Sequence, residues 1–111
     1  MKFDLSSLKE LLGNDEEALK DILRAFVIDY DKYVKDLEDG VIEKDFEKIR
    51  RNAHAMKSVV GNFNLKELYD YASDMERRSK ENLYDGINDL FEKFKDGLIK
   101  FRDWLKETYQ I

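Results

Sequence analysis

The residues of this chain whose types and spacing could do chemistry lie in the run AHAMKSVVGNFN, residues 53–64. It contains His54, the only histidine of the chain, with Lys57 three positions later and the small residues Ser58 and Gly61 four and seven positions later. A histidine side chain is partly neutral at pH 7 and is then a nucleophile, while a nearby ammonium stabilises negative charge on the oxygens of a transferred phosphoryl group. A histidine with this spacing can carry a phosphoryl group and be reached by another protein, and the alternative is an ordinary histidine at the surface.

This chemistry requires the ring of His54 to stand at the surface of a rigid element. The segment around it has apolar residues at helical spacing, namely Phe46, Ile49, Ala53, Met56 and Val60. At about 100° per residue, His54 points well away from this stripe, and Arg50, Ser58 and Gly61 lie on its own side of the helix. Lys57 lies nearer the edge of the core but within reach of the ring. The pattern predicts an exposed imidazole on a helix, with small residues beside it.

The remaining sequence predicts the helices that hold this segment in place. Apolar residues recur every three or four positions along almost the whole chain, which has no proline. Asn14 with Glu17 and Asn64 with Glu67 have the spacing of a capping box at a helix start. The expected helices cover residues 4–13, 14–40, 45–61 and 65–80, with a fifth from about residue 82. Short loops between long amphipathic helices predict an all-α fold, an antiparallel four-helix bundle with an additional short N-terminal helix.

Length and composition narrow the classes of protein to consider. The 111 residues suit a single domain over residues 1–111. The absence of cysteine excludes disulfides and cysteine catalysis, and the net charge of −5 argues against nucleic-acid binding. No apolar run approaches the roughly 18 residues of a membrane span, and the first residues have charges where a signal peptide would be apolar. We therefore expect a cytoplasmic, monomeric protein without a metal site.

The run around His54 resembles the motif of histidine-containing phosphotransfer domains of two-component phosphorelays. Their pattern is roughly A-H-x-L-K-G, followed by small residues and a hydrophobic residue. Ala53, His54, Met56, Lys57 and Phe63 match it. Two positions depart from the pattern, because the usual glycines after the lysine and before the fourth helix are a serine and an asparagine here. Both replacements are compatible with the fold, since serine is small and asparagine tolerates left-handed dihedral angles.

The resemblance implies a phosphoryl carrier rather than an enzyme acting alone. It implies that His54 accepts the group from the aspartyl phosphate of a receiver domain, through the more exposed nitrogen Nε2, and passes it to another receiver. Lys57 would steady the phosphoryl oxygens, and Arg50, Arg51, Ser58 and Gly61 would belong to the docking surface. The positive cluster, defined as Lys48, Arg50, Arg51 and Lys57, suits an acidic receiver pocket. The alternative is an ordinary solvated face whose cations pair with carboxylates four positions away, such as Glu47 with Arg51. No cofactor is implied, because the magnesium belongs to the receiver, which can be part of a hybrid histidine kinase.

Four other interpretations follow from the same residues. The chain could be a helical protein–protein interaction module without phosphotransfer, in which His54 is incidental. A di-iron or haem bundle requires inward histidines from more than one helix, whereas this chain has one histidine that points outward. The dimerisation hairpin of a histidine kinase would need an ATP-binding domain, and no glycine-rich nucleotide loop is present. A hydrolase would need a buried acid–base or nucleophile–base pair, which the pattern does not supply.

Overall fold

The computed structural model describes residues 2–111, and the described chain forms five α-helices without a β-strand. They are α1 (Ser6–Leu11), α2 (Glu16–Glu43), α3 (Phe46–Asn62), α4 (Lys66–Lys80) and α5 (Ile87–Tyr109). Helix α2 packs on α3, α3 on α4, α4 on α5 and α5 on α2, while α1 lies against α2. Because short loops join neighbouring helices, consecutive long helices run antiparallel. The expected four-helix bundle with a short N-terminal helix is confirmed.

All five helices contribute to one buried cluster of apolar side chains. Within this cluster, the ring of Phe101 of α5 packs against two other rings. Its centroid lies 5.4 Å from that of Phe26 and 5.1 Å from that of Phe63. Full burial of such a side chain stabilises a fold by about 1.5–3 kcal/mol. The buried stripe of α3, which includes Ile49, Ala53, Met56 and Val60, anchors that helix and fixes which of its faces is left to solvent.

The end of α2 corrects the expectation that Gly40 terminates the helix. The helix continues to Glu43, and Lys44 adopts the left-handed conformation that ends it, with φ of 54°. Gly40 is buried, and a Cβ built there would lie 3.2 Å from both Cγ1 and the backbone nitrogen of Ile49. The glycine therefore permits close packing of α2 on α3 instead of stopping the helix.

Asp45 caps α3 as expected, by accepting a hydrogen bond from the backbone nitrogen of Lys48, whereas the other helices start one to five residues later than expected. Asp15, not Asn14, caps α2 by accepting hydrogen bonds of 3.1 Å from the backbone nitrogens of Glu17 and Ala18. Asn64 is left-handed, with φ of 59°, and precedes α4 without capping it through its side chain. Left-handed residues after α4, Asn82 and Gly86, make a turn that delays α5 until Ile87. One extra turn residue therefore precedes α2 and α4, and several precede α5.

Candidate functional site

The imidazole of His54 is exposed on α3, as the sequence predicts. Its side chain is 67% exposed, whereas the neighbouring stripe residue Ala53 is completely buried. The backbone around it is continuous α-helix, which restricts the position of the ring. The ring is therefore accessible to a partner while it is attached to a rigid element.

One nitrogen of the His54 ring is held by Glu76 of α4. Nδ1 lies 2.6 Å from Oε2 of Glu76, whose side chain is only 7% exposed. An ionised carboxylate accepts hydrogen bonds but cannot donate them, so this contact favours the tautomer with its proton on Nδ1. In the neutral ring, Nε2 then carries the lone pair. Within residues 2–111, no protein group makes a hydrogen bond to Nε2.

Lys57 binds the second oxygen of the same carboxylate. Its Nζ donates a hydrogen bond of 3.0 Å to Oε1 of Glu76, and the lysine side chain is 23% exposed. The Glu76 carboxylate thus joins α3 to α4 through two residues that are three positions apart. His54 and Lys57 are brought together as predicted, and the carboxylate fixes their relative position.

Charge compensation keeps Glu76 ionised despite its burial. Burial by itself raises the pKa of this carboxyl, but the hydrogen bonds from Lys57 and His54 outweigh it, so the net pKa lies below its ordinary value. The hydrogen bond to Glu76 in turn raises the pKa of Lys57 above its ordinary value, against a smaller opposing effect of burial. At neutral pH the site therefore contains a carboxylate and an ammonium next to the imidazole.

An aromatic ring completes the surroundings of Lys57. The ring centroid of Tyr69, in the first turns of α4, lies 5.5 Å from Nζ of Lys57. A Cβ built on Gly61 would lie 3.7 and 3.8 Å from Cδ2 and Cε2 of the same ring, which is ordinary van der Waals contact. Gly61 and Tyr69, together with residues at the α3–α4 turn, also line a shallow cavity of about 180 Å³. The surface on the C-terminal side of His54 is therefore open.

The predicted docking residues lie along the exposed side of α3. Ser58 and Gly61 are exposed, as is Arg51. Arg50 is partly covered and is paired with Glu47, with 3.1 Å between Nε and Oε2.

The positive cluster is largely paired within this chain. Nζ of Lys48 lies 3.0 Å from Oε2 of Glu43, and Lys57 is bound to Glu76. Within residues 2–111, Arg51 alone of the four cations has no carboxylate within ion-pair distance. The cluster therefore presents less free positive charge to a partner than its sequence indicates.

Glu76 is the site residue that sequence reasoning missed. It is followed by Arg77 and Arg78 in a strongly charged stretch, which is typical of a solvated face. Its spacing contains the signal, because Glu76 follows Leu68 by eight positions and Ala72 by four and so shares their inward side. A carboxylate on the inward side of a helix requires a partner, so this spacing predicts a hydrogen-bond donor or a cation on a neighbouring helix without identifying it.

Two classes of site are not found in the described chain. Across residues 2–111, no group of three or more potential ligands from histidine, cysteine, aspartate and glutamate could hold a metal ion. No helix in that range combines the length and the apolar character needed to cross a membrane.

Comparison with known proteins gives one match. A family model described as "Hpt domain" matches residues 21–104, which is well over half of the 111-residue chain. The matched range includes α3 and α4 and thus His54, Lys57 and Glu76. Neither the comparison with curated proteins nor the comparison with solved structures gives a match.

Proposed function

Since the chain belongs to the Hpt domain family, we propose that His54 accepts a phosphoryl group from the aspartyl phosphate of one receiver domain and passes it to another. Membership of the family implies a phosphotransfer module of two-component systems, and receiver domains are the partners of such modules. Our proposal adds that His54 is the acceptor, that Glu76 and Lys57 assist it, and that the group passes between two receivers.

The observation that carries the proposal is the asymmetry of the His54 ring. Nδ1 is held 2.6 Å from a buried carboxylate, while the side chain as a whole is 67% exposed. A ring that is protonated on Nδ1 offers the lone pair of Nε2 to an incoming phosphorus atom. The carboxylate of Glu76 also stabilises the positive charge that develops on the ring as the bond to phosphorus forms.

The transfer step follows from this arrangement. The Nε2 lone pair attacks the phosphorus of the acyl phosphate, a nitrogen–phosphorus bond forms, and the bond between phosphorus and the aspartyl oxygen breaks. The electron pair of the broken bond stays with the aspartate of the receiver, which is released as a carboxylate. The Nδ1 proton remains in its hydrogen bond to Glu76. Donation to a second receiver is the reverse of these steps, with the attacking oxygen supplied by that receiver.

Lys57 is proposed to stabilise the oxygens of the transferred group. An ammonium has three hydrogen-bond donors, and Lys57 uses one of them on Glu76 at 3.0 Å. A further donor is therefore free for a phosphoryl oxygen without loss of the contact to Glu76. Because charge on those oxygens must be neutralised during transfer, the lysine is expected to contribute to the rate.

The exposed side of α3 is proposed as the docking surface for receivers. Ser58 and Gly61 leave room beside the ring, and Arg51 offers free positive charge to the acidic site of a receiver, with Arg50 at the edge. We further propose that residues 1–111 act as one monomeric domain that carries the group without a cofactor of its own. The receiver would supply the magnesium.

Labelling by a phosphorylated receiver tests the assignment of the acceptor. The wild-type chain is expected to take up label as an acid-labile, base-stable adduct, and His54→Gln is expected to take up none while keeping its helical circular dichroism. The fold should persist because the ring is exposed. Label on the folded His54→Gln protein would refute the assignment, whereas an unlabelled wild type with every receiver tried would favour an interaction module without phosphotransfer.

A second comparison tests the docking surface. Ser58→Leu places bulk beside the ring, one helical turn after His54, and is expected to raise the receiver concentration at half-maximal transfer, with little effect on the rate at saturation. Lys106→Leu is the matched control, because Lys106 is exposed on α5, a helix that packs on α2 and α4. Equal effects of the two leucines would contradict the placement of the surface.

A further inference from the structure

Tyr69 lies next to Lys57, but the transfer step proposed above assigns no role to it. It is 40% exposed and belongs to α4, the helix that also carries Glu76. Exposed tyrosines on helices are common, and exposure alone says nothing about a role. The position of the ring relative to Lys57 and Gly61 distinguishes Tyr69 from an ordinary surface residue.

The ammonium of Lys57 has two attractive neighbours on α4. The Glu76 carboxylate lies 3.0 Å from Nζ, and the Tyr69 ring centroid lies 5.5 Å from it. The second distance is within the range in which the face of an aromatic ring attracts a cation. A lysine side chain loses rotamer freedom when it is held in one place, so each attractive contact adds to its occupancy of that place. The ammonium is thereby confined close to the carboxylate that also binds His54.

The small size of Gly61 allows the ring to occupy this position. A Cβ at Gly61 would already be in van der Waals contact with Cδ2 and Cε2 of Tyr69, at 3.7 and 3.8 Å. A side chain that extends beyond Cβ toward Tyr69 would compete with the ring for the same space. Gly61 therefore has a use inside this chain, in addition to the space it leaves for a partner.

We propose that Tyr69 is a positioning residue, whose ring keeps the Lys57 ammonium beside His54 so that it is in place when the phosphoryl group arrives. This inference rests on the proposed function of His54 and Lys57. Tyr69 does not touch the reacting atoms and acts only through Lys57. Its hydroxyl has no part in the effect, because the attraction comes from the face of the ring.

Two variants separate the ring from the hydroxyl. Tyr69→Phe keeps the aromatic face, and Tyr69→Leu removes it while it retains an apolar side chain. The first measurement is the NMR order parameter of the Lys57 ammonium in the unphosphorylated protein, which needs neither a receiver nor phosphotransfer. We expect a lower order parameter in Tyr69→Leu and the wild-type value in Tyr69→Phe.

The second measurement is single-turnover transfer from a phosphorylated receiver. Tyr69→Leu is expected to slow transfer at saturating receiver two- to fivefold, which corresponds to about 0.5–1 kcal/mol of lost cation–π attraction. The receiver concentration at half-maximal rate should stay unchanged, and Tyr69→Phe should behave like the wild type. Helical circular dichroism of both variants reports whether the bundle is intact.

Three results would overturn the inference. The first is an unchanged order parameter of Lys57 in Tyr69→Leu. The second is a higher half-saturating concentration with an unchanged rate at saturation, which would make Tyr69 a docking residue. The third is a Tyr69→Phe protein that behaves like Tyr69→Leu. If no variant and no wild-type protein is labelled, the proposed function fails instead, and the order parameters still decide whether the ring holds Lys57.

Discussion

Replacement of Glu76 by glutamine tests the geometry of the site most severely. The two side chains have nearly the same shape, but the amide has one acceptor oxygen and one donor NH2 group in place of two acceptor oxygens. If the oxygen faces Lys57, the NH2 group faces Nδ1 of His54 and favours the tautomer with its proton on Nε2. If the oxygen faces His54, the NH2 group faces the Lys57 ammonium. The amide cannot satisfy both partners as the carboxylate does, at 2.6 and 3.0 Å.

The expected magnitude follows from the charge-assisted hydrogen bond to the ring. Such bonds contribute about 1.5–3 kcal/mol. Because the His54 side chain is 67% exposed, water competes for Nδ1 and the lower end of this range applies. A loss of about 1.5 kcal/mol from the stabilisation of the transition state decreases the rate roughly tenfold. We therefore expect Glu76→Gln to slow phosphoryl transfer to His54 by about one order of magnitude.

The assay combines single-turnover transfer from a phosphorylated receiver with 15N spectra of the imidazole, which distinguish the two tautomers. Glu81→Gln is the matched control, because Glu81 is 50% exposed and pairs with Arg77 at 3.2 Å at the end of the same helix. The control is expected to transfer at the wild-type rate. A Glu76→Gln protein with the wild-type rate and an unchanged tautomer would refute the reasoning.

Three further predictions concern charge and packing. Lys57→Ala leaves the buried Glu76 with one partner fewer and should lower the free energy of unfolding in urea by about 1–3 kcal/mol; an unchanged midpoint would contradict the contact. Gly40→Ala should destabilise the protein in the same assay, because overpacking costs about 1–3 kcal/mol and exceeds the gain in helix propensity. The control is Gly61→Ala, which has room for its Cβ and should be neutral or slightly stabilising. Folding lowers the pKa of Glu76, so its ionised carboxylate stabilises the folded state above about pH 4.3, the ordinary glutamate pKa. This stabilisation is lost as the pH falls through the lower pKa of the folded state. Urea titrations of the wild type and Glu76→Gln between about pH 5 and pH 3 should therefore converge at the acid end, and parallel profiles would contradict the ionised state of Glu76.

The sequence predicts the fold well because the relevant signal is local. The stripe of apolar residues in α3 indicates a helix, shows which side it buries and places His54 on the opposite side. The resemblance to histidine-containing phosphotransfer domains, which rests on the same segment, is confirmed by the family match. Helix ends are predicted less well, because a glycine can end a helix or allow close packing, and an asparagine can cap a helix or occupy a left-handed turn. Gly40 packs closely against Ile49, and Asn64 is the left-handed residue of the α3–α4 turn.

The parts of the site that the sequence does not reveal depend on contacts between helices. Glu76 is 22 positions from His54, and its burial results from the packing of α4 on α3. The pairing of Lys48 with Glu43 and of Arg50 with Glu47 likewise depends on side-chain geometry at the surface. The sequence leaves open whether the cations of the positive cluster face a partner or pair with nearby carboxylates, whereas within residues 2–111 the structure shows three of the four paired, with Glu47 bound to Arg50 instead of Arg51.

The position of the nitrogen–phosphorus bond tests the central claim most directly. After phosphorylation of the 15N-labelled chain by a receiver, the 15N–31P coupling identifies the atom that carries phosphorus. The His54 side chain is 67% exposed and its Nδ1 is held against Glu76, so the coupling is expected at Nε2, with the proton retained on Nδ1. Phosphorus on Nδ1, or on any residue other than His54, would contradict the account.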